Sequence, residues 1–180
     1  MDAITCIKHR RSIRSFQPKA VETEVITKIV EAAAYAPSWK NSQTSRYVVI
    51  TDPALKSRIA AEATMGFAGN AKIIENAPAL VVQFSVAKRA GYERDGSFST
   101  SKEDRWESFD AGIACQTFVL AADEYGVGSV IMGIFDQGII REIAQIPAEQ
   151  NVASLIAIGY AAEEPAAPRR KTVEDLLRIL

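Results

Sequence analysis

Apolar and polar positions recur along the chain in two rhythms, and the switches between them mark out the elements. Residues 3–9 place Ile4 and Ile7 on one face of a short helix. From about 22 to 35, Val25, Ile26, Ile29, Val30 and Ala33 follow the i, i+3, i+4, i+7 spacing of an amphipathic helix. Ala36-Pro37-Ser38 closes it, because a proline disfavours helical geometry in the residue before it. Residues 47–51 (YVVIT) read as a buried strand. Asp52 then Pro53, an N-cap and a first-turn proline, open a helix to about residue 65. Residues 69–76 look helical, and 79–85 form a second strand. The polar, mixed stretch 86–104 is the candidate for a mobile loop or lid. A helix over 106–125, with Gly112 inside it, is apolar on most sides and is expected to be buried, with Gly126 as its stop. Residues 129–134 make a third strand, Asp136 caps a helix through 143, and 152–160 (VASLIAIGY) make a fourth strand. The tail 161–171 is extended, and Thr172 with Asp175 resembles a capping box for a final short helix.

Strands alternate with helices, but not in regular βαβ order. The fold predicted is α+β, with a mixed sheet of four to five strands sandwiched by helices. Four strands and one buried helix are a modest core for this much apolar surface, which points to a dimer whose core is partly intermolecular.

The length, 180 residues, suits one domain over 1–180. Lys plus Arg total 21 and Asp plus Glu 22, a formal charge of −1, which argues against a general polyanion binder. No apolar run reaches the about 20 residues that span a bilayer. The opening MDAITCIKHRRS has no secretory apolar region, so a cytoplasmic protein with no membrane partner is expected. Cys6 and Cys115 are too few and too far apart for a disulfide framework or a cysteine zinc site. With His9 the sole histidine, a His₃ or HExxH metal centre is excluded, and no metal is expected. Side chains suited to acid–base or metal chemistry are scarce.

Four segments carry candidate chemistry. Residues 1–20 hold Lys8, Arg10, Arg11, Arg14 and Lys19 against Asp2 alone, with Ser12 among them. Such a cluster suits one phosphate; it also describes a solvated basic helix end. Residues 36–43 (APSWKNSQ) put Ser38, Asn41 and Gln43 beside an aromatic ring, either an ordinary turn or the polar edge of a heteroaromatic ligand's site. Met132-Gly133 ends a strand, where glycine permits close approach of a flat ligand or merely tight packing. Residues 126–128 (GVG) follow a helix and lack GxGxxG spacing, so a Rossmann fingerprint is not supported. Arg169-Arg170-Lys171 could return to the anion of the N-terminal cluster or be a solvated charge run. Cys115 reads as an inert core residue and His9 as a surface one; nothing places Asp104 or Glu107 in a cleft.

Together these segments, in order, resemble the nitroreductase family of FMN-dependent oxidoreductases: RRSIRSF, APSWKNSQ, Gly69-Asn70 with NAPALVV, DAGIACQTFVLAADEYGVGS, IMGIFD and IAIGYAAEEPAAPRRK. The resemblance covers residues 7 to about 176. It implies an intertwined homodimer with two FMN sites at the interface. By position, Arg10, Arg11, Ser12 and Arg14 would contact the FMN phosphate, ribityl chain and pyrimidine edge. Pro37, Ser38 and Asn41, with Gln43 beside them, would line the flavin from the other protomer, and Asn70 would bond its pyrimidine side. Met132 and Gly133 would lie near flavin N5, and Arg169 and Arg170 would return to the phosphate. The implied chemistry passes hydride from NADH or NADPH through N5 to a nitroaromatic, quinone or activated alkene by a ping-pong mechanism. FMN supplies the reactivity, so no catalytic side chain is needed, although Arg14 is proposed to stabilise the reduced flavin. Two departures leave substrate choice open: Met132 stands where many relatives have an acid, and Gln43-Thr44-Ser45 where many have Gln-Pro-Trp. Two alternatives stand beside this reading. One is a superfamily member with other flavin chemistry, dehalogenation or flavin breakdown; the other is a nucleic-acid-binding module using the basic termini, which the balanced charge disfavours.

Overall fold

The computed structural model describes residues 2–180. Its elements are α1 (Ala3–His9), α2 (Thr23–Ala33), β1 (Ser45–Ile50), α3 (Pro53–Glu62), α4 (Ala68–Asn76), β2 (Ala79–Ser85), α5 (Arg105–Glu124), β3 (Gly128–Met132), α6 (Gln137–Ile143), β4 (Asn151–Gly159) and α7 (Val173–Leu176), with a single 3₁₀ turn at Trp39–Asn41. Aspartates set three of the helix starts. Asp2 accepts the N–H groups of Ile4 and Thr5, Asp52 that of Leu55, and Asp136 those of Gly138 and Ile139. Gly126, at φ +72°, ends α5. At α7 the Thr172 N–H donates to the Asp175 carboxylate at 3.1 Å.

The sheet has the order β1-β2-β4-β3, and each neighbouring pair is antiparallel. This corrects the mixed sheet expected from the alternation of strands and helices. The β1–β2 connection holds two helices packed on each other, α3 and α4, so the chain goes out and back and re-enters at the end it left. Among the described residues the parallel pairing is confined to an isolated bridge from Ser12 to Ser129, on the outer edge of β3.

Both faces of the sheet are covered, which is why its inner strands carry apolar runs without alternation, 79–82 and 155–158. Leu80, Val82, Leu155 and Ala157 face one core with Ile59, Ile74 and Ile140 of α3, α4 and α6. The alternate residues Val81, Ile156 and Ile158 face the other, with Ile29 of α2 and Phe118 of α5. Each fully buried Leu, Val, Ile or Phe among these contributes about 1.5–3 kcal/mol.

Residues 86–104 make contacts with α5 and among themselves. Glu107 accepts the Lys88 N–H at 2.5 Å, Tyr92 and Phe98 pair across a bridge, and the Trp106 indole donates to the Thr100 hydroxyl at 2.8 Å. Gly91, at φ +86°, sits where a Cβ would come within 2.3 Å of the Glu103 carbonyl oxygen. Among the described residues no helix is long and apolar enough to cross a membrane.

Candidate functional site: a basic clasp and a strained turn

Beyond α1 the chain runs extended along β3. The Ile13 N–H donates to the Ser129 carbonyl at 2.9 Å, and Ile13 is buried against Gly128. Alternation then turns Ser12 and Arg14 away from the core. Arg10 is half-buried, and its Nε has no hydrogen-bond partner. Arg10, Arg11, Ser12 and Arg14 line a concavity of about 240 Å³ together with Pro165, Ala166, Pro168 and Arg170. Four arginines from the two ends of the chain therefore line it, with no acidic residue in the wall. Their mutual repulsion is relieved by an anion, and planar bidentate donors suit phosphate. Arg169 is not in this wall. Arg11 also serves its own helix. Its Nη1 donates to the carbonyls of Lys8, His9 and Arg10 at 2.6, 2.8 and 2.9 Å, closing the C-terminal end of α1.

The turn between α2 and β1 is built from residues in the left-handed region: Lys40 (φ +45°), Asn41 (φ +55°) and Gln43 (φ +48°). Such geometry in non-glycine residues costs free energy and persists where the surroundings impose it. Here the Ser38 Oγ accepts the Gln43 N–H at 2.9 Å. The Asp110 carboxylate on α5 accepts the Trp39 N–H at 2.8 Å, and Trp39 stacks on Trp106 with centroids 4.8 Å apart. Burial pushes the Asp110 carboxyl above the usual carboxylate range, opposed by the Trp39 N–H and the Ser42 hydroxyl. A core relay fixes α5 next to Asp110. Gln83 in β2 donates to the Ala111 carbonyl at 2.8 Å and accepts the Ser154 hydroxyl of β4 at 2.8 Å.

Pro37, Ser38 and Gln43 line a second cavity of about 330 Å³ with Thr44, Arg46, Tyr47 and Asp110, whereas Asn41 is exposed and outside its wall. This cavity and the basic concavity share no residue. A third group lies at the end of β3. The Asn70 amide donates to the Ile134 carbonyl at 3.2 Å, which brings Asn70 beside the Met132–Gly133 strand end. Met132 is 4% exposed and belongs to the core, so its side chain is not offered to a ligand. A Cβ on Gly133 would meet nothing within 4 Å, so tight strand packing is not what requires glycine there.

Several residues sit differently from the sequence expectation. Asp104 and Glu107 do line a cleft, a polar cavity of about 310 Å³ in which Glu107 accepts the Asn151 amide at 2.6 Å. Asp110, Arg46 and Tyr47 join the site with no expectation pointing to them, whereas Thr44 belongs to Gln43-Thr44-Ser45, one of the two departures that bear on substrate choice. Asp110 has a signal: it falls on the same helix face as Ala111, Ala114 and Phe118, where an acid must find donors. His9 is indeed exposed, paired with Asp123 at 3.0 Å. Burial pushes the Cys115 thiol up, as suits an inert core residue.

The profile of the Nitroreductase family matches residues 7–160. The chain belongs to the nitroreductase family. A protein of Thermus thermophilus named NADH dehydrogenase is 30% identical over 98% of this chain and 95% of its own length. A nitroreductase from Desulfovibrio desulfuricans, solved in complex with FMN, is 28% identical, with a TM-score of 0.75 over 100% of this chain and 98% of its own. An iodotyrosine deiodinase of Haliscomenobacter hydrossis is 28% identical over 89% of this chain and 79% of its own. The nitroreductase fold thus accounts for the helix-covered antiparallel sheet and for the extended N-terminal segment laid along its edge.

Proposed function

We propose that the protein is an FMN-dependent NAD(P)H oxidoreductase acting as a homodimer. One observation carries this reading: arginines from both chain ends line one concavity free of acidic residues, and one of them, Arg10, has a buried Nε without a partner. The residues present fit the group. Arg10, Ser12 and Arg170 would hold the phosphate end, with Arg11 and Arg169 nearby and Arg14 toward the ring edge. Asn70 keeps a free amide hydrogen and its oxygen for the pyrimidine edge, and the exposed backbone at Gly133 lets a flat ring approach. Pro37, Ser38, Asn41 and Gln43 of the partner subunit would close the other side. The separation of the two cavities within one chain supports that division of labour. So do Ile4, Ile7, Phe109, Leu176 and Leu177, which are all exposed in the isolated chain.

When bound, FMN supplies a hydride relay from NADH or NADPH to an acceptor, giving ping-pong kinetics. This chain's residues bind and orient: Arg14 keeps a permanent positive charge where negative charge develops at the ring edge. The acceptor class we favour is nitroaromatic, quinone or activated alkene. The deiodinase relative supports reductive dehalogenation as the second reading.

An absorbance spectrum of the purified protein, followed by anaerobic titration with NADH and NADPH, tests this. We expect a yellow protein that is bleached by either or both donors and recovers colour on adding a quinone. A colourless protein that does not take up added FMN would overturn the reading. Turnover of a halotyrosine with none of a nitroaromatic or quinone would select the second.

A further inference from the structure

We propose that the cavity between the Trp39–Arg46 turn and the start of the 86–104 loop binds the 2′-phosphoadenosine end of NADPH, and so sets the choice of hydride donor. The inference rests on the oxidoreductase reading and assigns a second site to it.

The cavity has a volume of about 430 Å³, and Trp39, Lys40, Thr44, Arg46, Arg89 and Tyr92 line it. It shares no residue with the basic concavity of Arg10 and Arg170, so it is a separate anion site. It does share Thr44 and Arg46 with the cavity of Pro37, Ser38 and Gln43, so the two adjoin along one turn. A ligand reacting beside that turn can extend into it.

Its chemistry points to a phosphate ester on a flat base. Three cations line it and no acid does. Arg46 is held in place: its Nη1 donates to the Gln43 and Ser45 carbonyls at 2.7 and 2.8 Å, leaving Nη2 and Nε for a ligand. Lys40 is partly neutralised by Glu93 at 3.0 Å. Arg89 is exposed and makes no ion pair among the described residues. Beside these cations stand two buried polar atoms without partners, the Trp39 Nε1 and the Thr44 Oγ1, and Thr44 is only 2% exposed. Buried donors of this kind need an acceptor, and a phosphate monoester offers three oxygens. The Trp39 and Tyr92 rings add flat apolar surface for a heterocycle. Of the two hydride donors in play, NADPH alone carries a monoester on its adenosine.

Arg89 is the residue to vary, because it is exposed, loop-borne and outside the proposed FMN contacts. Calorimetric titration of 2′,5′-ADP and of 5′-AMP, on the protein with and without FMN, reads the cavity without turnover. We expect 2′,5′-ADP to bind at least tenfold tighter than 5′-AMP, Arg89→Ala to abolish that preference, and Arg89→Lys to restore part of it. In steady state, Arg89→Ala should raise KM for NADPH about tenfold, with kcat and KM for NADH unchanged. No binding of 2′,5′-ADP, binding indifferent to Arg89→Ala, or an equal rise in both KM values would overturn the proposal. Because the cavity lies within one chain, a protein that binds 2′,5′-ADP but never FMN supports this site while refuting the oxidoreductase reading. One that holds FMN and oxidises NADH but ignores 2′,5′-ADP does the reverse.

Discussion

Asp110 accepts the backbone N–H of Trp39 at 2.8 Å, across 71 residues of sequence. This bond fastens the left-handed turn 40–43 to the long helix α5. Removing the acceptor leaves a partly buried N–H unsatisfied, which costs about 1–3 kcal/mol. Asp110→Ala should lose that much in urea unfolding and hold FMN more weakly; Asp110→Asn, which keeps an acceptor oxygen, should lose less. The pH dependence has a definite sign. The folded carboxyl is raised above its unfolded value by burial, so the stability linked to this group is fully present below the unfolded value and is lost as pH rises through the folded one. Unfolding midpoints measured against pH should show that fall in the wild type, and the contribution should be missing from the Asn variant.

Gly128 and Gly133 make a contrasting pair. A Cβ on Gly128 would lie 2.8 Å from the Ile13 Cγ1, and Ile13 is pinned by its backbone bond to Ser129. Gly128→Ala should cost about 1–3 kcal/mol by overpacking and displace the arginine segment, so stability and FMN affinity fall together. A Cβ on Gly133 meets no atom of the chain. Gly133→Ala should leave the unfolding curve in place and reduce FMN affinity alone. Denaturation and flavin-fluorescence titration of both variants check this.

Most of the fold is legible in the sequence because local signals agree with one another. Asp52-Pro53 and Asp136 start helices where the sequence says they do, and Gly126 stops α5. The strand polarity is not legible. Residues 79–82 and 155–158 read as apolar runs without alternation whether the sheet is parallel or antiparallel, provided helices cover both faces. In the site, the RRSIR cluster is visible as charge density, but its meeting with Arg170 depends on how the tail folds back past Pro165 and Pro168. Asp110 is easily passed over, because α5 also carries Glu107, Asp123 and Glu124 and nothing in the residue pattern singles one acid out. The Lys40, Asn41 and Gln43 geometry cannot be read from the sequence, since none of them is a glycine.

Arg10 and Arg11 are neighbours in sequence with different roles. The Arg10 Nε is buried without a partner at the basic concavity, whereas the Arg11 Nη1 is committed to three carbonyls at the end of α1. Arg10→Ala should weaken FMN binding by roughly 1.5–3 kcal/mol, about tenfold to 150-fold, with little change in unfolding. Arg11→Ala should instead show mainly a loss of stability. Likewise Arg170→Ala should cost more affinity than Arg169→Ala, since Arg170 alone of the two lines the wall. Equilibrium dialysis of FMN against the four variants separates these outcomes, and equal losses throughout would speak against the assignment.

The C-terminal arm makes the last prediction. Val173, Leu176 and Ile179 are 64%, 72% and 84% exposed, so they contribute almost nothing to the chain's own core. Apolar residues this exposed, on a segment as short as α7, do not fold usefully alone; they gain free energy only against another surface. In a homodimer that surface is a second copy of the chain. Deleting residues 173–180 keeps Arg170 and every core residue, so the shortened protein should retain its secondary structure. It should also dissociate at concentrations where the full chain is dimeric. Sedimentation equilibrium on both forms measures this directly. If the site is shared between protomers, FMN affinity should fall in step with dissociation and recover at higher protein concentration, which a loss of a contact within one chain would not do.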